Sequence, residues 1–311
     1  MAPDASSSIQ RLRALAHAPE EQAALAVDLV QPSQPRDVLS AALDVLTRRP
    51  VPDAREPLRV LYAHILAKPE KRDPGGYLRR PLLDALRRVA TPADAPLFLG
   101  AVTTYERYPP TFQEEAGLVR AAGLIALNEV DEELAALHAA RLLADLDHTD
   151  AMSGEPAAGA ASLLAAQGRL DALYLYATLP PGVGNSETTA ACLRNLISLP
   201  VELLPPLVQR YAECTDPVIM VGLFDLLFGH EAGVQGGEFI IDFLAKTRDE
   251  DLYHYLVVML ITGRNEEIVQ RFLAGLRWET HSAKRAIARD ALELRAEDPA
   301  VAEALARLSR G

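Results

Sequence analysis

Residues 117–130 read GLVRAAGLIALNEV. Leucine and alanine dominate, β-branched residues are few, and Val119, Ala122, Ile125, Ala126 and Val130 recur at the i, i+3, i+4, i+7 spacing of one helical stripe. The stretch therefore predicts an amphipathic α-helix with that stripe turned to a core. Just before it lies Glu115-Ala116, a weak form of an acidic residue followed by a helix-starting residue.

Working outward, the same punctuation recurs. Asp73-Pro74, Glu155-Pro156 and Asp216-Pro217 are its strong forms, and Gln34-Pro35 and Ser186-Glu187 its weaker ones. An acidic side chain can accept from the orphan amides of a first turn, and proline lacks the donor that would go unpaired there. Starts fall near 34, 73, 115, 155, 187, 216, 250 and 281, at intervals of about 29 to 42 residues, the range of stacked helical repeats. Each opens an apolar segment such as VIMVGLFDLLFG (218–229), and a second helical segment follows, such as EIVQRFLAGL (267–276). The unit is an antiparallel helix pair. The segments 253–262 (YHYLVVMLIT) and 239–243 (FIIDF) have the β-branched and aromatic content of buried strands, but the repeat register assigns them to helices.

The 311 residues are 49% hydrophobic and 24% charged, which excludes wholesale disorder and fibrous chains. Cys192 and Cys214 are too few for a disulfide framework or a four-thiolate zinc site, and fit a reducing, cytoplasmic setting. No apolar run approaches the roughly 18 residues of a membrane span, and MAPDASSSIQ at the start has neither the basic nor the apolar region of a signal peptide. Residues 1–8 are expected to be disordered. Residues 9–311 form one domain with capping helices at both ends, since no glycine- or proline-rich segment is long enough for a flexible linker.

The pattern resembles the HEAT-type α-solenoids, whose repeat carries an Asp-Pro turn, then Val-Arg, then small and aliphatic residues. Val119 to Leu127 is the best copy, with Arg120 in the arginine place. Asp216-Pro217 keeps the turn but has Val221 there, Glu155-Pro156 keeps the turn but has Ala160, and Arg194 is a further candidate rung. Pro205-Pro206 matches the kinked first helix of that family. The resemblance implies an all-α, right-handed superhelix of about eight helix pairs, with protein binding as its commonest use and no catalytic residues to transfer.

With a net charge of −12, the chain is poorly suited to neutralising phosphates. Locally, residues 48–88 hold 11 Lys/Arg against 5 Asp/Glu, whereas 128–150 hold 1 against 7. Arg79, Arg80, Arg87 and Arg88 could bind an anion or an acidic partner. A solvated face in which Asp84 bridges Arg80 and Arg88 is favoured over that, because charge runs usually serve solvation. The acidic run Asp145 to Asp150 contains His148 and lacks the glycine and terminal glutamate of an EF-hand, so an exposed loop is favoured over a metal site. The glycines at 182–184 and 229–237 fit capped or adjustable turns better than phosphate cradles. No zinc-protease histidine pair and no Gly-x-Ser-x-Gly elbow is present, and no cofactor is expected.

The function that follows is a non-catalytic scaffold or adaptor binding a partner protein on the concave face. Its expected contacts, on exposed faces of the second helices, are the four arginines above with Arg120, Arg194, Tyr253, His254, Trp278, Lys284 and Arg285. For Arg120 the alternative is a ladder bond to an acidic turn residue of a neighbouring repeat. A HEAT-like DNA glycosylase is opposed by the charge and by an aromatic content of 5%. A bilin-lyase-like or cofactor-maturation factor has no signature in the chain.

Overall fold

The structure is a computed structural model that describes residues 5–110, 112–180, 182–263 and 265–308. Among these residues every regular element is helical: nineteen α-helices and eight 3-10 turns, with no strand and one isolated antiparallel bridge between Arg107 and Glu114. No helix among them is long and apolar enough to cross a membrane. The segments 239–243 and 253–262 lie within the helices Gly237–Lys246 and Glu250–Thr262. Ala5 to Ser8, expected to be disordered, belong to the first helix, Ala5–Ala14, and Ser8 is buried. Residues 1–4 lie outside the described part.

The chain divides into two compact units, 1–163 and 164–311. In the first, Arg36–Arg48 packs on Arg79–Arg87, and that helix packs on Gly117–Asn128, while Ala95–Val102 and Glu132–Leu143 flank the last of these. In the second, Ser186–Arg194, Pro217–Gly229, Glu250–Thr262 and Ser282–Leu292 pack in succession, their starts 31, 33 and 32 residues apart. A second row runs beside it: Gly237–Lys246 on Glu266–Leu276, and Glu266–Leu276 on Pro299–Leu308. Within each unit the substantial packing joins a helix to the next one or the next but one, the four-residue helix Pro69–Arg72 apart.

The helix starts follow the expected chemistry. Asp216 accepts from the amides of Val218 and Ile219, and Asn185, Asp249 and Asp131 each accept from the amide three residues on. Asp73 acts at longer range: after a 3-10 turn at Pro74–Gly76, its carboxylate receives the amides of Leu78 and Arg79 at 2.8 Å each, capping the helix Arg79–Arg87. Pro205 and Pro206 stand in the first turn of Leu204–Arg210, where the missing donors cost nothing, so they start that helix and do not kink its interior.

In Gly117–Asn128 the apolar stripe is differently centred from the sequence reading. Val119, Ala122, Gly123, Leu124, Ala126 and Leu127 are buried, and Ile125 is 41% exposed. Neighbours on three sides widen the buried arc and leave Ile125 on the open side. Two glycines fix how closely the rows approach. A Cβ on Gly123 would lie 2.7 Å from the Ala101 Cβ, and one on Gly222 would lie 2.5 Å from the Ala190 Cα. Glycine lets these helices meet backbone to backbone. Phe224 then packs edge-on against Phe228 and Phe243, with centroids at 5.7 and 5.5 Å, closing the second unit's core between Pro217–Gly229 and Gly237–Lys246.

Candidate interaction surface

The helices that carry the candidate residues divide them sharply into buried and exposed. Arg79, the first residue of its helix, is fully buried. Its Nη1 and Nη2 donate to the two oxygens of Glu106 at 2.6 Å each, its Nε donates to the Asp73 carboxylate at 3.1 Å, and Nη2 also donates to the Asp73 carbonyl. Burial alone would lower the guanidinium's pKa, but the carboxylates more than reverse this.

Arg120 repeats the arrangement 41 residues later. It too is fully buried, and its Nη2 donates to Glu114, six residues earlier, as Arg79 does to Asp73. Its Nη1 donates to the Thr104 carbonyl and its Nη2 to that of His148. The ladder bond anticipated for Arg120 thus goes to the turn ahead of its own helix and not to a neighbouring repeat. Neither arginine is on an exposed face, because a guanidinium entering the core must use its donors on nearby acceptors.

The basic segment is correspondingly smaller as a surface. Arg80 and Arg88 are exposed, whereas Arg87 is half-buried and pairs with Asp84 at 3.4 Å and Glu129 at 3.0 Å. Asp84 meets Arg87, one turn away, in place of the expected bridge to Arg80 and Arg88.

A network that no spacing in the sequence marks joins the segment between Ala95–Val102 and Gly117–Asn128 to the end of Glu132–Leu143 and the turn after it. Tyr105 donates to Asp145 and accepts from Arg141 at 2.6 Å, and the Arg120 guanidinium lies 4.3 Å over its ring. The His148 Nδ1 lies 2.7 Å from Asp145 and its Nε2 2.7 Å from the Arg107 guanidinium, so the ring bridges the carboxylate and the arginine. Burial would raise the Asp145 pKa, but the hydrogen bonds from Tyr105 and His148 outweigh it and hold the carboxyl below its ordinary value. Asp150, at the end of the acidic run, is held low by the Ser153 amide and hydroxyl. Protein donors thus serve these carboxylates, and among the described residues no group of three or more His, Cys, Asp or Glu side chains is arranged to hold a metal ion. The only prior signal was compositional: tyrosines at 105 and 108, and an imidazole among acids at 145–150.

In the second unit, Arg194 is exposed and reaches Asp225 at 3.7 Å, while burial raises the Asp225 pKa. The other candidates converge. Tyr253 on Glu250–Thr262 and Lys284 on Ser282–Leu292 are 31 residues apart, one interval of the helix row, and so come side by side: the Lys284 Nζ lies 5.0 Å from the centroid of the Tyr253 ring. Both are buried, contrary to the exposed placement expected of them. Tyr253 turns into the packed side of its helix, while His254 and Tyr255, the next two residues round, are exposed. The Lys284 ammonium donates to the carbonyls of Leu244 and Ala245 at 2.8 and 2.9 Å, where the helix Gly237–Lys246 ends in unpaired acceptors. Burial lowers its pKa and Glu279, at 4.0 Å, raises it, burial being the larger effect.

A cavity of about 300 Å³ lies against Tyr253, walled also by Phe272, Leu276, Ile241, Leu244 and Trp278, with Glu279 and Thr280 at its edge. Trp278, the chain's single tryptophan, is 79% exposed at its rim. Leu276 also lines a second cavity of about 300 Å³, with Leu273, Ala304, Leu308 and the arginines Arg277, Arg285 and Arg307. Tyr253 and Trp278 thus line the first depression and Arg285 the second, with Lys284 packed against Tyr253 but lining neither; Arg80, Arg88, Arg194 and His254 do not join them.

A scan against protein-family models and a search of curated proteins find no match to this chain.

Proposed function

We propose that the chain is a HEAT-like, right-handed α-solenoid of about eight helix pairs and serves as a non-catalytic scaffold or adaptor that binds a partner protein. The supporting observation is the order of packing: inside each unit, helices meet their immediate and next-but-one neighbours in sequence, which is how stacked hairpins bury their apolar faces. The 41-residue recurrence of a buried arginine with an acid six residues before it supports the same reading. Such stacks present a continuous surface to which each repeat contributes a few side chains.

Trp278 is the contact most readily assigned, because a large aromatic face left in solvent beside an apolar cavity supplies binding energy when a partner covers it. Affinity capture with wild type, Trp278→Ala and the double variant Arg80→Glu/Arg88→Glu tests the function. A partner retained by wild type and lost or weakened in at least one variant of unchanged thermal stability is the expected outcome. Identical partner lists from all three would remove these surfaces from the function. Arg79 is excluded from the reversal, since a glutamate there would face Asp73 and Glu106 in the core.

A further inference from the structure

The two adjoining depressions differ in electrostatics, and the difference indicates what would fill them. The first is walled mostly by aromatic and aliphatic side chains, with Glu279 and Thr280 at its edge; the Glu279 carboxylate accepts from the His281 amide and stands 4.0 Å from Lys284, which two carbonyls satisfy. The second has an aliphatic floor and a rim of three arginines, on a chain whose net charge is −12. Arg277 donates from Nε to the Ala274 carbonyl at 2.8 Å, and Arg285 reaches the Leu308 carbonyl at 3.4 Å. Arg307 lies 3.8 Å from Glu303 along its own exposed helix face. Among the described residues no carboxylate comes within 4.0 Å of Arg277 or Arg285.

Arg277 and Trp278 are neighbours in sequence at the end of Glu266–Leu276, one facing each depression, and Leu276 floors both. An occupant must therefore present a bulky apolar group and a negative group only a few ångströms apart.

We infer that this face is a docking site for a short acidic-apolar peptide segment of a partner protein, with a leucine-, isoleucine- or aromatic-type side chain in the cavity beside Trp278 and an adjacent Asp or Glu on Arg277 and Arg285. The inference rests on the scaffold reading and specifies the partner's chemistry. Charge complementarity selects the acid, because arginines without carboxylate partners gain charge-assisted, bidentate hydrogen bonds when a carboxylate arrives. A polyanion such as nucleic acid fits less well: it would place phosphates and sugars over a floor of Leu273, Leu276 and Leu308, and the rest of the chain would repel it.

The test is panning of a phage-displayed library of random linear peptides on the full chain. The recovered peptides are then made synthetically and titrated while the emission of Trp278 is followed, a signal free of other tryptophans. The expected result is enrichment of peptides that pair Asp or Glu with a large apolar residue. They should shift Trp278 emission to shorter wavelength, and their affinity should fall about tenfold or more in Arg277→Glu/Arg285→Glu, a variant whose side chains lie outside the core and whose melting temperature should match wild type. Recovery of basic or uncharged peptides, or indifference to the arginine reversal, would overturn the acidic assignment and leave the scaffold reading standing. Recovery of no peptide, with Trp278 emission shifting as protein concentration rises, would assign the face to a second copy of the chain and overturn the inference. Recovery of no peptide with constant emission would overturn it outright, while a partner captured through Arg80 and Arg88 would still support the scaffold.

Discussion

Replacing Arg79 by methionine tests the buried arginine rung. Methionine keeps most of the aliphatic volume and removes the charge, leaving Glu106, whose two oxygens both take their 2.6 Å bonds from Arg79, without a counter-charge in the core. Asp73 is less affected: it keeps the amides of Leu78 and residue 79, and Arg36 lies 3.6 Å away. Removing one partner of a buried pair typically costs about 3–5 kcal/mol, because the survivor stays desolvated. With a urea dependence of about 3 kcal/mol per molar, the upper end of the small-protein range, the unfolding midpoint should drop by about 1 M or somewhat more. Far-UV circular dichroism during urea unfolding reads this directly. Arg80→Met, one residue on and exposed, is the internal control and should stay within about 0.5 kcal/mol of wild type. Arg79→Lys should fall between them, since it keeps the charge and loses the two-pronged grip on Glu106. If Arg79→Met unfolds at the same urea concentration as Arg80→Met, the buried-rung argument is wrong.

Three further outcomes are expected. Gly123→Ala and Gly222→Ala should each destabilise by about 1–3 kcal/mol through overpacking, whereas Gly100→Ala, whose Cβ meets nothing within 4 Å, should stabilise by about 0.5–1 kcal/mol through helix propensity; thermal melts of the three distinguish close approach from mere flexibility. Asp94 is buried and grips Arg55 at 2.8 and 2.9 Å; burial raises its pKa, but the bonds from Arg55 and Thr91 prevail and set it below 3.8. A depressed carboxyl stabilises the fold fully above its unfolded value, and that contribution is lost as pH falls through the folded one, so Asp94→Asn should cost about 2 kcal/mol at neutral pH and a diminishing amount below pH 4, measured by melts across pH. Burial pushes the Cys192 thiol up to about 12 and raises the half-exposed Cys214 as well, so mild iodoacetamide followed by peptide mass mapping should find Cys214 alkylated and Cys192 protected.

The helices were legible because their signals are local. Acidic-proline punctuation, leucine-alanine periodicity and the spacing of starts placed Pro217–Gly229, Glu250–Thr262 and Ser282–Leu292, including the β-branched segment that composition alone would have made a strand. Exposure was less legible, because it depends on partners far along the chain. Arg79 is buried because Glu106 arrives 27 residues later, and Arg120 because the His148 carbonyl arrives 28 residues later. Ile125 shows the same limit: periodicity identifies a stripe but not how many neighbours cover the helix. The convergence of Tyr253 and Lys284 has a spacing signal, since they stand 31 residues apart on adjacent helices whose starts are 32 apart. The network of Tyr105, Asp145, His148 and Arg107 depends on loop geometry that no spacing rule encodes.

The central claim is that helix pairs stack in series, each supported by its neighbours along the chain. Circular dichroism and urea unfolding of a chain ending at Thr280, without the helices Ser282–Leu292 and Pro299–Leu308, measure this most directly. Serial stacking predicts that ellipticity falls only by the share of the removed helices and that the remainder still unfolds cooperatively. Loss of most of the helical signal on that deletion would contradict it.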